Sequence, residues 1–160
     1  MIGLQPLPDD PFQRLVISIF RLNGALIAKG DRLVSDLGLT SARWQVLGAA
    51  AAAPVPLTVA SIARNMGLTR QTVRTTVREL EAAGFVRLAP NPHHQRAHLV
   101  VPTAAGEHAF AAAMERQVAW GEGLVRDHDA ERITAAADLL QALLAQIHDA
   151  RIDDETAEEA

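Results

Sequence analysis

The 160-residue sequence contains no cysteine, and this absence excludes several kinds of chemistry. Disulfides, thiolate nucleophiles, cysteine-ligated zinc and thiol-based redox sensing are all ruled out for this chain. Aromatic residues make up only 4% of the sequence, whereas about half of it is apolar, with alanine and leucine dominating. This composition favours helices packed on helices over a large β-sheet.

The sequence also lacks a segment that is apolar enough to span a membrane. Its longest stretch without a charge, residues 44–63, is rich in alanine and is interrupted by Pro54 and Pro56. The first residues lack the basic start and apolar core of a secretion signal. We therefore expect a soluble cytoplasmic protein with no membrane partner.

The net charge of −4 is unevenly distributed along the chain. Between Thr58 and Thr103 there are six arginines and two glutamates, a net charge of +4, which leaves −8 on the rest of the chain. A basic island in an acidic body is expected where one surface meets phosphate groups. The alternative is scattered solvated charge, and the spacing of the arginines distinguishes the two.

Apolar periodicity and capping residues predict a mainly α-helical chain with one small β-hairpin. A long first helix should begin at Asp10–Pro11 and end at Gly38, and Thr40, Thr58 and Thr69 should cap the next three helices. Residues 85–89 and 97–101 form two short strands around a turn-rich segment. Helices follow from residue 102 to about 128 and from 130 to 150, and residues 151–160 form an acidic, flexible tail.

Residues 59–73 have the pattern of a helix-turn-helix. Gly67 lies between two short helices and supplies the left-handed backbone that residues with a Cβ resist. Ala63 is small where the two helices cross, and Thr69 caps the second helix. Apolar residues are spaced to form the shared core: Ile62, Met66, Leu68 and Val73. Together these features predict a helix-turn-helix.

The second helix of this pair carries three arginines, Arg70, Arg74 and Arg78, at positions i, i+4 and i+8. Like charges at this spacing destabilise an isolated helix by about 0.2–0.5 kcal/mol per pair. The row is explained if DNA phosphates and base edges lie opposite, since arginine binds both; the alternative is internal pairing with carboxylates. The predicted DNA-contacting residues beside the arginines are Thr69, Gln71, Thr72 and Thr75.

The predicted hairpin, or wing, carries further candidates near its tip. Arg96 is placed to enter a narrow minor groove, and His94 is a weaker DNA-contacting candidate beside it. The alternative for both is a solvated end of a strand. A metal site made of His93, His94 and His98 is disfavoured because the three lie on a turn and strand with no acidic residue nearby in sequence. We expect no metal and no cofactor.

At this level of detail the chain resembles the MarR family of regulators from its first long helix to its last. The most specific part runs from Leu57 to Gly106 and includes the segments 68–73, 80–86 and 103–106. The resemblance implies a homodimer that binds an inverted repeat in double-stranded DNA, with recognition helices in major grooves and wings in adjacent minor grooves. It also implies a repressor that a small aromatic or lipophilic ligand releases from DNA.

The resemblance divides the chain into a dimerisation helix (1–37), a winged helix-turn-helix lobe (40–102) and C-terminal dimerisation helices (103–150). The length of the first helix, about 39 Å at 1.5 Å per residue, independently favours a partner along it; packing inside one chain is the alternative. The wing departs from the family pattern: His94 stands where an acidic residue is usual, Gln95 replaces a basic residue, Asn91 replaces a frequent aspartate and Pro102 replaces leucine.

Four residues are candidates for an effector site. Phe12, Phe20 and Trp44 could line an apolar cavity and Arg43 could bind a carboxylate, although core packing explains the aromatics equally well. An enzyme is disfavoured because the sequence has no thiol, no glycine-rich phosphate loop and no nucleophile elbow. The remaining alternative is a winged-helix module that binds protein instead of DNA, although arginine and glutamine on the presented face fit groove recognition better.

Overall fold

The computed structural model describes residues 8–94 and 96–158, with side-chain surroundings described up to residue 147. It confirms a mainly helical chain with a small antiparallel sheet. A 3-10 turn, Ser35–Leu37, follows the first helix. The elements in chain order are α1 (Pro11–Val34), α2 (Ser41–Ala51), β1 (Leu57–Thr58), α3 (Val59–Met66), α4 (Arg70–Ala82), β2 (Val86–Ala89), β3 (Leu99–Pro102), α5 (Ala104–Val125) and α6 (Ala130–Glu158).

The first four α-helices begin at the predicted capping residues. The Asp10 carboxylate accepts a hydrogen bond from the backbone N–H of Gln13 at 2.8 Å. The threonines before α2, α3 and α4 accept equivalent bonds at 3.1–3.2 Å from the backbone N–H three residues later. Each bond satisfies a backbone donor that the first turn of a helix leaves free, which is why these positions set the helix starts.

The end of α1 differs from the prediction. The α-helix stops at Val34, and Gly38 instead ends the tighter 3-10 turn, with its φ at +74°. The backbone N–H of Gly38 donates to the Ser35 carbonyl at 3.1 Å. The left-handed glycine was therefore correctly identified as the end of the helical segment, but the last turn is wound more tightly than an α-helix.

The sheet has three strands in the order β1-β3-β2, one more than predicted. Strand β3 pairs antiparallel with β2, as the hairpin prediction requires, and Leu57 and Thr58 of β1 pair with its other edge. Two residues are too few for an alternating pattern, so β1 could not be predicted from periodicity. The hairpin strands also begin later than predicted, at Val86 and Leu99.

Helices α2, α3 and α4 and the sheet share one apolar core. Its fully buried side chains include Leu47 of α2, Ile62 of α3, Leu80 of α4 and Val100 of β3. Leu68, predicted to be buried here, is 41% exposed instead. It follows the left-handed Gly67, so its side chain leaves the direction of the α3 apolar face.

Helix α5 begins directly against the turn that ends α4. The Thr103 hydroxyl donates to the Gly84 carbonyl at 2.6 Å and accepts from the Gly106 backbone N–H at 3.1 Å. A Cβ placed on Gly106 would lie 2.0 Å from the Phe85 carbonyl oxygen. Glycine is required at this position because the α5 backbone approaches the Phe85 carbonyl too closely for any side chain.

Further along α5, Arg116 ties this helix to the end of α1. Its guanidinium donates to the Leu33 carbonyl at 2.8 Å and binds both carboxylate oxygens of Asp36. The hydrogen bond from Arg116 holds the pKa of Asp36 below its ordinary value. Because Asp36 is largely exposed and Arg116 only half-buried, the pair fixes geometry more than it adds stability.

The chain forms two compact units, Met1–Val118 and Ala119–Ala160, so α1 and most of α5 group with the helix-turn-helix and the sheet. Helix α6 does not end at residue 150 as predicted but continues through Glu158. The part of the chain assigned to a flexible tail is thus helical as far as the structure describes it. Within the described residues, no helix combines the length and apolarity that a membrane crossing requires.

Candidate nucleic-acid interface

The helix-turn-helix has the predicted geometry. Gly67 adopts a φ of +64°, and its N–H donates to the Arg64 carbonyl at 3.2 Å, while Leu68 N–H donates to the Ala63 carbonyl at 2.9 Å. Ala63 is buried against α4. This C-cap reverses the chain within three residues and delivers Thr69 to the start of α4.

Helix α4 has one buried side and one exposed side. Its buried residues are Val73, Thr76, Val77 and Leu80. The arginine row (Arg70, Arg74 and Arg78) is exposed and forms no ion pair with any residue that the structure describes. Internal pairing, the alternative interpretation of the row, therefore finds no support in the described part of the chain.

The arginine row faces an open recess of about 320 Å³, which we call the basic recess. Arg96 lines the same recess from the wing, so four arginines line one open recess. Its other lining residues are Thr58, Val59, Ala60, Val77, Leu88, Ala97 and His98. A recess with cationic walls and no lining carboxylate is suited to bind a polyanion.

The polar residues between the arginines are engaged to different degrees. The Thr72 hydroxyl is 2.8 Å from the Thr69 hydroxyl within the cap, and the Thr75 hydroxyl donates to the Gln71 carbonyl at 3.1 Å. The Gln71 side chain is exposed and has no hydrogen-bond partner among the described residues. At 100° per residue, Gln71 and Thr75 project away from the buried side of α4. Of these polar residues, Gln71 is the one whose side chain forms no hydrogen bond with the described residues.

On the other flank of α4, Glu79 faces α2 and not the recess. Arg43 Nε donates to the Glu79 carboxylate at 3.1 Å, and its Nη1 donates to the Gly38 carbonyl at 3.4 Å. Arg43 therefore neutralises the acidic residue that directly follows Arg78. The Glu79 carboxylate is thus directed toward α2, and it does not line the recess.

The four effector candidates occupy different environments. Trp44 belongs to the core, and Arg43 is paired with Glu79. Phe12 and Phe20 are 64% and 71% exposed on α1, so packing in the core of this chain explains Trp44 but not these two. None of the four lines the basic recess.

The wing tip retains its turn despite the departures from the family pattern. The Asn91 side-chain oxygen accepts from the His93 backbone N–H at 3.0 Å, the bond that an aspartate would make. His94 is exposed, and its carbonyl accepts from the Ala97 N–H at 3.1 Å. Gln95 lies outside the described residues. Within residues 8–94 and 96–158, no three histidine or acidic side chains are grouped to hold a metal ion.

Sequence reasoning missed several lining residues of the basic recess. Thr58, Val59 and Ala60 reach it because β1 places the start of α3 beside the wing. His98, considered only as part of a disfavoured metal site, also lines it. Its position two residues after Arg96 was the available signal.

Comparison with known proteins agrees with this architecture. A family model described as MarR family matches residues 37–97, which span the helix-turn-helix and most of the wing. The crystal structure of Sco5413, a MarR family transcriptional regulator from Streptomyces coelicolor, is 26% identical, with a TM-score of 0.75 over 87% of this chain and 96% of that one. This chain belongs to the MarR family. MarR-family transcription regulators are non-enzymatic DNA-binding proteins.

Relatives by sequence extend the match over most of the chain. The uncharacterized protein Rv2011c of Mycobacterium tuberculosis is 32% identical over 136 residues, 85% of this chain and 94% of the relative. The transcriptional activatory protein BadR of Rhodopseudomonas palustris is 28% identical over 66% of this chain and 61% of its own length. CouR from Rhodococcus jostii, solved bound to p-coumaroyl-CoA, is 24% identical, with a TM-score of 0.73 over 88% of this chain and 95% of that one.

Proposed function

We propose that this MarR-family protein is a homodimer that binds an inverted repeat in double-stranded DNA and regulates transcription there. The lining of the basic recess by Arg70, Arg74, Arg78 and Arg96 carries the proposal. An α-helix fits the major groove of B-DNA, and an arginine on an adjacent hairpin suits the narrow minor groove beside it. The contacting residues are then Thr69, Gln71, Thr72 and Thr75 with the arginine row, and His94 and Arg96 on the wing.

Exposed apolar residues on the terminal helices support the homodimer. Four apolar residues of α6 are 40–60% exposed and lie seven, four and three residues apart, which places them on one side of the helix: Ile133, Leu140, Leu144 and Ile147. Helix α1 exposes a second apolar set: Phe12, Ile19, Phe20, Leu22, Leu26 and Ile27. So many large apolar side chains are costly to leave in water, and a second copy of the chain would cover them.

The dimer is tested by placing a charge on the apolar stripe of α6. We expect Leu144→Glu to raise the dimer dissociation constant at least a hundredfold, because symmetry removes two buried leucines at about 1.5–3 kcal/mol each. Sedimentation velocity across a concentration series measures the change. Gln141→Glu, one turn away and off the stripe, is the matched control. Equal dissociation constants for both variants would contradict a dimer interface at Leu144.

We further propose that the protein represses transcription and that a small molecule releases it from DNA. Repression requires only that the dimer occupy a promoter, whereas activation requires an additional favourable contact with the transcription machinery. The complex of CouR with p-coumaroyl-CoA supports ligand control in this fold. BadR is named as an activator, so repression has to be distinguished from activation. Expression from a reporter promoter that carries the selected operator makes that distinction: it should fall when the protein is present.

Selection from a random duplex library tests specific binding. We expect an enriched inverted repeat whose half-sites are one helical turn apart, about 34–36 Å. Its affinity should fall steeply with salt because DNA binding releases counterions from the phosphates. No enrichment, together with no binding of any duplex at low ionic strength, would overturn the proposal in favour of a protein-docking module.

Substitutions on α4 should separate base recognition from phosphate binding. We expect Gln71→Ala to reduce the preference for the selected operator over single-base variants, because its free amide is placed to bind a base edge at about 1–3 kcal/mol. Arg78→Ala should instead weaken binding to all duplexes alike and lower the salt dependence. Fluorescence anisotropy against a panel of operator variants measures both. Unchanged selectivity of Gln71→Ala would contradict its assignment.

A further inference from the structure

The basic recess contains one polar side chain that the proposed function does not yet use. His98 lies immediately before β3 and is exposed; it lines the recess from the wing, whereas the arginine row lines it from α4. It forms no hydrogen bond with any residue that the structure describes. Two residues later, Val100 is fully buried in the core. Alternate residues of an extended chain point to the same side, so β3 directs His98 toward α4 at the point where the core ends and the recess opens.

The chemistry of the recess matches one repeating unit of nucleic-acid backbone. Five of its lining residues are apolar, namely Val59, Ala60, Val77, Leu88 and Ala97, and five are cationic or can donate a hydrogen bond, namely the four arginines and His98. A deoxyribose ring presents little charge and suits the apolar residues, while its phosphate suits the arginines. A base edge would instead need hydrogen-bonding groups, which the apolar residues do not offer, and the Thr58 hydroxyl is already bonded to Ser61 in the cap of α3.

Geometry gives a second reason to place a backbone strand here. The major and minor grooves of a duplex are separated by a sugar-phosphate strand. A protein whose helix enters one groove while its hairpin enters the next must straddle that strand. The space between α4 and the wing is the basic recess, so the strand between the two grooves lies over it.

We propose that the basic recess holds this sugar-phosphate strand and that His98 donates a hydrogen bond to one of its phosphates from the wing. The inference rests on the proposed DNA-binding function and adds a contact residue to it. His98, Arg70 and Arg74 bind the backbone in the recess, whereas Gln71, on the exposed side of α4, contacts bases. His98 then contributes affinity without sequence preference.

The test compares His98→Ala, His98→Gln and His98→Arg in the full-length protein, on the selected operator and on an unrelated duplex. A phosphate hydrogen bond predicts that His98→Ala weakens binding to both duplexes about tenfold per half-site. His98→Gln, which retains an N–H donor, should recover part of the loss. His98→Arg should steepen the salt dependence by about 0.9 in the log–log slope per half-site. His108→Ala, an exposed histidine of α5 outside the recess, should leave binding unchanged.

Operators with single methylphosphonate substitutions identify the contacted phosphate. Neutralising that phosphate should weaken the wild-type protein but have little further effect on His98→Ala. Unchanged affinity of His98→Ala, with an unchanged salt slope for His98→Arg, would overturn the His98 assignment, as would a loss confined to one operator base. If these results appear while Arg74→Ala still weakens binding, DNA binding stands and only this inference fails. If the wild-type protein binds no duplex, the proposed function itself fails.

Discussion

Gly106→Ala is expected to lower the melting temperature by about 6–12 °C. The added methyl group would lie 2.0 Å from the Phe85 carbonyl oxygen, and the clashing atom belongs to the backbone, so it cannot turn aside as a flexible side chain would. Overpacking of a rigid site costs about 3 kcal/mol, and each kcal/mol shifts the melting temperature of a chain of this size by about 2–4 °C. Calorimetry at one fixed protein concentration measures the shift, since the proposed dimerisation would make the melting temperature concentration-dependent.

Gly121→Ala is the matched control for this prediction. It lies on the same helix, and a Cβ there meets no atom of the described residues within 4 Å. Because alanine is favoured over glycine in a helix by about 1 kcal/mol, this variant should be as stable as the wild type or slightly more stable. Equal destabilisation of both variants would show that the contact with Phe85 is not the cause.

Gly67 and Gly106 differ in how far the sequence alone explains the need for glycine. Gly67 was identifiable because the left-handed conformation between two helices is a local requirement, visible in the residues on either side. The need for Gly106 arises from contact with Phe85, which a different part of the chain supplies. A family pattern included Gly106, but only the packed structure gives its physical reason.

The same distinction holds across the rest of the fold. The helix starts at Asp10, Thr40, Thr58 and Thr69 were predicted because each cap bonds a backbone group only three residues away. Strand β1 was missed because two residues carry no periodicity and pair only with the distant β3.

The candidate site divides in the same way. The arginine row and Arg96 were predicted from helical spacing and hairpin position. The apolar lining of the basic recess and the place of His98 in it depend on how β1, β3 and α4 pack together, which spacing along the chain does not show. The exposure of Phe12 and Phe20 could not be predicted either. Apolar residues at helical spacing give the same sequence pattern whether they face a core in their own chain or a partner chain.

The double variant Arg74→Ala/Arg78→Ala is expected to bind the operator about 10⁴-fold more weakly at constant salt. Each charged hydrogen bond contributes about 1.5 kcal/mol, close to a factor of ten, and the proposed homodimer loses two at each of two half-sites. The slope of log affinity against log salt should fall by about 3.6, at about 0.9 per phosphate contact. A protein that binds as a single copy would instead lose about 100-fold and a slope of about 1.8, so the measurement also reports the number of recesses engaged.

Stability should move in the opposite direction from binding in this double variant. Removing like charges spaced four residues apart relieves about 0.2–0.5 kcal/mol per pair, and neither arginine has a described partner to lose. The folded protein should therefore be as stable as the wild type or slightly more so, which separates lost contacts from lost structure. Arg126→Ala/Arg132→Ala, two exposed arginines outside the recess, supplies the charge-matched control. If only the arginines of the recess contact DNA, the control should bind as the wild type does. If the control loses as much affinity and salt dependence as Arg74→Ala/Arg78→Ala, the net charge of the protein and not the recess governs binding.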